Sequence, residues 1–143
     1  MIRSILTVLV GLLVGSLAGF LLGLLGNRLM PPPAGLNLAN PEALAAYVAS
    51  APPAVFLKMM AVWAGGAFAG GFAAALLAAR QRSWHAIAVG AIQMFLALAQ
   101  MAMIPHPAWV VVSGATLFIP FAWLGSRLLV GTPDAPPDAP EAT

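Results

Sequence analysis

The chain has no cysteine. Disulfides and thiolate metal sites are therefore excluded, and cysteine usage says nothing about the redox compartment. Charge is nearly as scarce: 7% of the 143 residues are charged, against about a quarter in an ordinary soluble domain. With 62% of its residues hydrophobic, the chain has too little polar surface to cover itself in water. It also lacks a cluster of Lys and Arg on one face. Six basic residues stand against four acidic ones, scattered near the ends of apolar runs, so nucleic acid is not an expected partner. P-loop, dinucleotide fingerprint and nucleophile–base pairing are missing as well.

What the sequence does contain is apolar runs of membrane length. Crossing about 30 Å of hydrocarbon takes roughly 20 helical residues. Four segments qualify, at about 5–25, 54–79, 84–104 and 108–130. They predict an all-α fold, a four-transmembrane-helix bundle occupying residues 1–130. Arg3 ahead of the first run has the look of a signal peptide, but that run exceeds an h-region of about 7–15 residues. Ala49-Ser50-Ala51, which has the form of a cleavage site, lies far beyond it. The first segment is read as a retained span.

Charges mark where the spans leave the membrane. Arg3 and Arg28 bracket the first, and Arg80 and Arg82 follow the second. Lys58 lies inside the second run, close enough to its start to snorkel to an interface. Trp84, Trp109 and Trp123 fall near span ends, as interfacial tryptophans do, while Trp63 sits deeper. A cytoplasmic N-terminus places Arg3, Arg80, Arg82 and Arg127 inside and leaves Arg28 and Lys58 outside. The positive-inside rule favours that orientation. Both termini are then cytoplasmic.

The loop between the first two spans opens with Pro31-Pro32-Pro33, a stiff extended segment, then Gly35 for a turn. Asn40-Pro41-Glu42 supplies an N-cap, a proline preset for the first helical position and an acid at the positive helix end. A short helix over 41–50 follows, with Leu44, Tyr47 and Val48 on one face. It is expected to lie on the outer membrane surface or over the bundle mouth. The segment 131–143, rich in Pro, Ala and Asp, is expected to be a disordered cytoplasmic tail.

The first span carries Gly11, Gly15, Gly19 and Gly23 at every fourth position. Four residues turn about 400°, so this stripe stays on one side of the helix for about 18 Å, and Asn27 continues it. In water each glycine would cost about 1 kcal/mol against alanine. In lipid, small residues let helix backbones approach closely. The second span offers Gly66, Gly70, Ala74 and Ala78 beside Ala67, Gly71, Ala75 and Ala79. The simplest expectation is that these two helices cross along their small faces, with Gly15 and Gly19 at the closest point. Self-association, or a pore lining, is the alternative use of the same stripe.

Polar candidates for chemistry are few. Gln93 and Gln100, seven residues apart in the third span, are expected to point inward and to knit helices together. With Thr116 they form the candidate polar lining of a transport path. Pro120 in the fourth span cannot donate to the carbonyl of Thr116, which predicts a bend that Ser113 or Thr116 could cover. His85 and His106 stand at opposite ends of the third span, about 32 Å apart. They cannot share a metal or haem, so neither a metal site nor a cofactor is expected. No acidic residue lies inside any span. Ion-coupled transporters ordinarily keep one, which counts against the small multidrug transporters with their glutamate in the first helix.

Four stretches together resemble a family of short, four-span bacterial inner-membrane proteins. They are Pro31-Pro32-Pro33-Ala34-Gly35, the Asn40-Pro41-Glu42-Ala43-Leu44 cap, the run from Ala61 through Trp63-Ala64-Gly65-Gly66 to Gly71, and Pro105-His106-Pro107-Ala108-Trp109. The resemblance covers about residues 1–130. It implies a bacterial cytoplasmic membrane and carries over no activity, cofactor or catalytic residue. The expected function is a non-catalytic accessory or scaffold bundle, in contact with membrane lipid and with a protein partner or further copies of itself. The alternative is a small oligomeric channel or uncoupled transporter for neutral or lipophilic solutes.

Overall fold

The computed structural model describes residues 2–37, 39–78 and 80–128. The tail expected at 131–143 lies outside the described residues. Five helices follow one another: α1 (Ile2–Leu29), α2 (Pro41–Ser50), α3 (Pro53–Leu77), α4 (Arg82–Met103) and α5 (Ala108–Arg127). All but α2 are long and apolar enough to cross a membrane. The protein is an all-α bundle of four such helices.

The short helix begins where its cap predicts. The Asn40 side-chain oxygen accepts from the backbone N–H of Glu42 at 2.9 Å and of Ala43 at 3.3 Å, filling two of the free donors of the first turn. Gly35 takes a φ of 82°, the left-handed turn that its missing Cβ permits. From there α2 reaches back over the end of the bundle formed by the start of α3 and the start of α5. Val48 is buried with Phe56 and Met60 of α3 and Val110 of α5, and Leu44 packs beside them. The helix therefore covers the bundle mouth between α3 and α5.

α3 is the central element. It packs on α1, α4 and α5, and α4 also packs on α1 and α5, while α1 and α5 do not meet among the described residues. Half of its most apolar window is buried, against 17% for α1. The reason is its two stripes of small residues. An added Cβ at Gly66 would meet the carbonyl oxygen of Gly15 at 2.9 Å, and one at Gly70 that of Gly11 at 2.8 Å. One position along each turn, an added Cβ at Gly71 would meet the backbone of Ala122 in α5 instead. The stripe of Gly66 and Gly70 faces α1; the stripe of Ala67 and Gly71 faces α5. This corrects the expectation that both stripes serve α1.

The α1–α3 crossing is also placed differently. Antiparallel register sets Gly11 on Gly70 and Gly15 on Gly66. The helices then diverge: the nearest atom to an added Cβ is 4.0 Å away at both Gly19 and Gly23. Closest approach therefore falls at Gly11 and Gly15, about one helical turn toward the N-terminus from the expected point. α4 shares it, since Val89 reaches the Cβ position of Gly11 at 2.8 Å and the Gln93 amide occupies that of Gly15.

At the same end of the bundle the Lys58 ammonium reaches a defined target. It donates to Asn27 Oδ1 and to the carbonyl oxygen of Met30, each at 3.0 Å. A cation thus sits at the negative C-terminal end of α1, and the last member of the glycine stripe receives it.

Candidate functional site

The three residues expected to line a polar path are placed apart. Gln93 is half-buried where α1, α3 and α4 meet, with its amide nitrogen against Gly15 and its Oε1 enclosed without a hydrogen-bond partner. Gln100, expected to point inward beside it, is exposed. The physical reason lies in α1. It touches α4 at the Gly11–Val89 and Gly15–Gln93 level, then follows α3 toward Val62 and Lys58 and leaves the C-terminal half of α4 without cover on that side. Thr116 is exposed on α5, and its hydroxyl donates to the carbonyls of Val112 at 3.1 Å and Ser113 at 2.9 Å. It is engaged with the turn before it and does not cover the carbonyl that Pro120 leaves free.

The histidines settle at the two ends as local turn builders. His106 Nδ1 lies 2.7 Å from the carbonyl oxygen of Ile104, and its ring meets Phe56 edge-on at 6.4 Å. His85 Nδ1 is 3.1 Å from the carbonyl oxygen of Gln81. The Nδ1–H donates in the tautomer that satisfies each carbonyl. Trp63, the deep tryptophan, packs against Phe118 at 5.8 Å. Gly114 makes room for it: an added Cβ there would meet the indole at 2.7 Å.

A concave site does form, at a place the sequence did not indicate. α1 and α4 run parallel, and beside their contact a groove of about 620 Å³ opens along the N-terminal halves of both. Its walls are Ile5, Val8, Leu9 and Leu12 from α1, with Ala88 and Ile92 from α4. Ser4, Gln81, Trp84 and His85 stand at its mouth. The volume falls in the range of ligand pockets, about 300–1,000 Å³, but the groove is open along one side, where Leu9 and Trp84 are exposed. Gln81, at the mouth, holds a φ of 54° and ψ of 44° although it is not glycine, a conformation that costs roughly 1–2 kcal/mol. Its carbonyl accepts from the backbone N–H of Trp84 and His85, so the left-handed residue caps α4 and turns the chain from α3 into it.

Charge is concentrated at the same end. Arg3 and Arg80 are exposed there, and Arg82 is half-buried with an enclosed Nε that has no partner. Arg127 is engaged elsewhere, its guanidinium 5.2 Å from the centre of the Trp123 ring. Fold and groove together define a small multi-pass helical membrane protein. No protein family, curated protein or solved structure matches the chain.

Proposed function

We propose that the protein is a non-catalytic accessory or scaffold bundle of a bacterial cytoplasmic membrane, with both termini inside and residues 31–53 outside. The observation that carries this reading is the employment of the polar side chains. The Lys58 ammonium ties α3 to the end of α1, the Thr116 hydroxyl serves its own helix, and the Gln93 amide packs on Gly15. Groups that would bind a passing solute are instead used to hold helices. Resemblance to short four-span inner-membrane proteins supports the location, and the four arginines at one end against Arg28 and Lys58 at the other support the orientation.

Orientation has a direct check. Single cysteines at Ala34 and Ser83 are expected to react with an impermeant maleimide from opposite faces of sealed vesicles, Ala34 from outside. Reaction of both from one face would overturn the topology.

Uncoupled transport is the second reading, and one observation favours it: the enclosed Gln93 Oε1 has no partner. The two readings part on the variant Gln93→Leu/Gln100→Leu. In a scaffold, leucine removes an unsatisfied acceptor whose burial costs about 1–3 kcal/mol. Thermal stability should then stay level or rise, and the mass of the detergent-extracted assembly, including any stoichiometric protein companion, should be unchanged. A homo-oligomer whose solute flux disappears in the stable double variant would replace the scaffold by the transporter.

A further inference from the structure

We propose that the α1–α4 groove is a binding site for one anionic phospholipid, an acyl chain lying in the groove and the phosphate at its arginine-flanked mouth. The dimensions fit a single leaflet. From Ser4 to Leu12, and again from Trp84 to Ile92, the groove runs about 12 Å along its helices, close to half of a hydrocarbon core about 30 Å thick. It opens sideways, since Leu9 is 54% exposed and Trp84 68%, so a lipid enters from the bilayer without crossing the bundle.

Its closed side is fixed by the tight packing of Gly11 on Val89. Ala88, midway along the α4 wall, is the small residue that leaves the groove deep. The chemistry changes at the mouth, where apolar walls give way to Ser4 and His85.

Charge complementarity selects the headgroup. Arg3 adjoins Ser4 in the chain, and Arg80 and Arg82 flank Gln81, so three cations belong to the end of the bundle at which the groove has its polar mouth. The Arg82 Nε is enclosed by the protein, so a phosphate would be met by the outer nitrogens of these guanidinium groups. Among the described residues the one acid, Glu42, lies in α2 at the opposite end of the bundle. A phosphate diester supplies the oxygens this end lacks, and guanidinium is the side chain best matched to it. Basic pockets between membrane helices hold lipid phosphates on this principle. Whether the leaflet is the inner one depends on the orientation above; the site itself does not.

The test is native mass spectrometry of the purified full chain, released from detergent after titration with phosphatidylglycerol or with phosphatidylcholine of the same acyl chains. One phosphatidylglycerol per chain is expected, retained at least about tenfold better than phosphatidylcholine. Arg82→Gln and Arg3→Gln should each weaken retention about fivefold, the equivalent of about 1 kcal/mol per basic residue near the surface. Leu9→Trp and Ala88→Trp fill the groove and should abolish it. Leu9 is exposed, so its variant leaves the helix packing intact, and a circular-dichroism melt verifies that both fold. Equal retention of the two lipids would overturn the proposal. So would phosphatidylglycerol bound undiminished by folded Leu9→Trp, since the lipid would then sit elsewhere on the basic end. Binding only after removal of residues 131–143, which contain Asp134, Asp138 and Glu141, would assign the mouth to the chain's own acids instead.

Discussion

Gly71→Ala is expected to be the most damaging one-carbon change in the bundle. The added methyl would overlap the backbone of Ala122 in α5, with the carbonyl carbon and Cα both at 2.6 Å and the carbonyl oxygen closer still. A flexible side chain could swing aside; a helix backbone cannot move without taking its whole helix with it. Overpacking a core ordinarily costs about 1–3 kcal/mol, and here the obstacle is rigid, so a loss of at least about 3 kcal/mol is expected in a denaturant titration in detergent. Gly125→Ala acts on the same interface from the other side, where an added Cβ would meet the Phe72 nitrogen at 2.9 Å and the Phe68 carbonyl. Once either methyl has forced α3 and α5 apart, the second adds little, so the pair should be strongly sub-additive. Gly23→Ala is the control, because its nearest neighbour is the end of Val62 at 4.0 Å. If Gly71→Ala and Gly23→Ala melt within about 1 kcal/mol of each other, α5 does not pack on α3 through this face.

The importance of Gly71 was only half legible in the sequence. Periodicity shows that α3 carries small residues on two neighbouring faces, and a helix built so must have two close neighbours. It does not say which. With α1 carrying the conspicuous stripe, both faces looked like its partners. The counterparts on α5 are Gly114 and Gly125, while Gly90 of α4 serves the α4–α5 contact. Gly90 lies against Phe118 and Ala122, Gly114 admits Trp63, and Gly125 receives the Phe68 backbone. The missed signal was a glycine on each later span at the level of a bulky residue opposite.

Elements set by local chemistry were readable almost to the residue. Asn40-Pro41-Glu42 begins α2, Pro52-Pro53 separates it from α3, and Pro105-His106-Pro107 separates α4 from α5. Lys58 reaches the end of α1 because its charge must find water or a dipole wherever it sits. Features that need two spans at once were not readable. Gln93 and Gln100 share one helical face, yet one is enclosed and the other exposed, because α1 departs from α4 between them. The groove likewise exists only because α1 and α4 are parallel neighbours. Nothing along either segment announces that; it follows from α3 taking the centre and leaving α1 and α4 in contact on one side of it.

The same geometry sharpens what the glycine stripe of α1 should do under substitution. Leucine at Gly15 is expected to abolish recovery of folded protein. Its Cβ alone would meet the Gly66 carbonyl oxygen at 2.8 Å, the Gly70 Cα at 3.2 Å and the Gln93 amide. Gly11→Leu should follow closely, since Val89, Ala74 and the Gly70 carbonyl lie at 2.8, 2.9 and 3.0 Å from its Cβ position. Gly19→Leu should be milder, since its first neighbour is 4.0 Å away, and Gly23→Leu milder again, because the atom at 4.0 Å there is the end of the Val62 side chain and not the Gly66 backbone. The smaller change Gly15→Ala tests the role of α4. One of its three obstacles, the Gln93 amide, is a side-chain end, so Gln93→Ala should recover part of the lost stability, while the Gly66 carbonyl keeps recovery incomplete. Yield, melting temperature and monomer mass on the same variants decide the matter. If Gly15→Leu instead folds as a stable monomer and loses only self-association, the stripe faces another copy of the chain and not α3. A graded fall from Gly23 to Gly15, with rescue from α4, can come only from a crossing inside one chain that tightens toward the N-terminal half of α1.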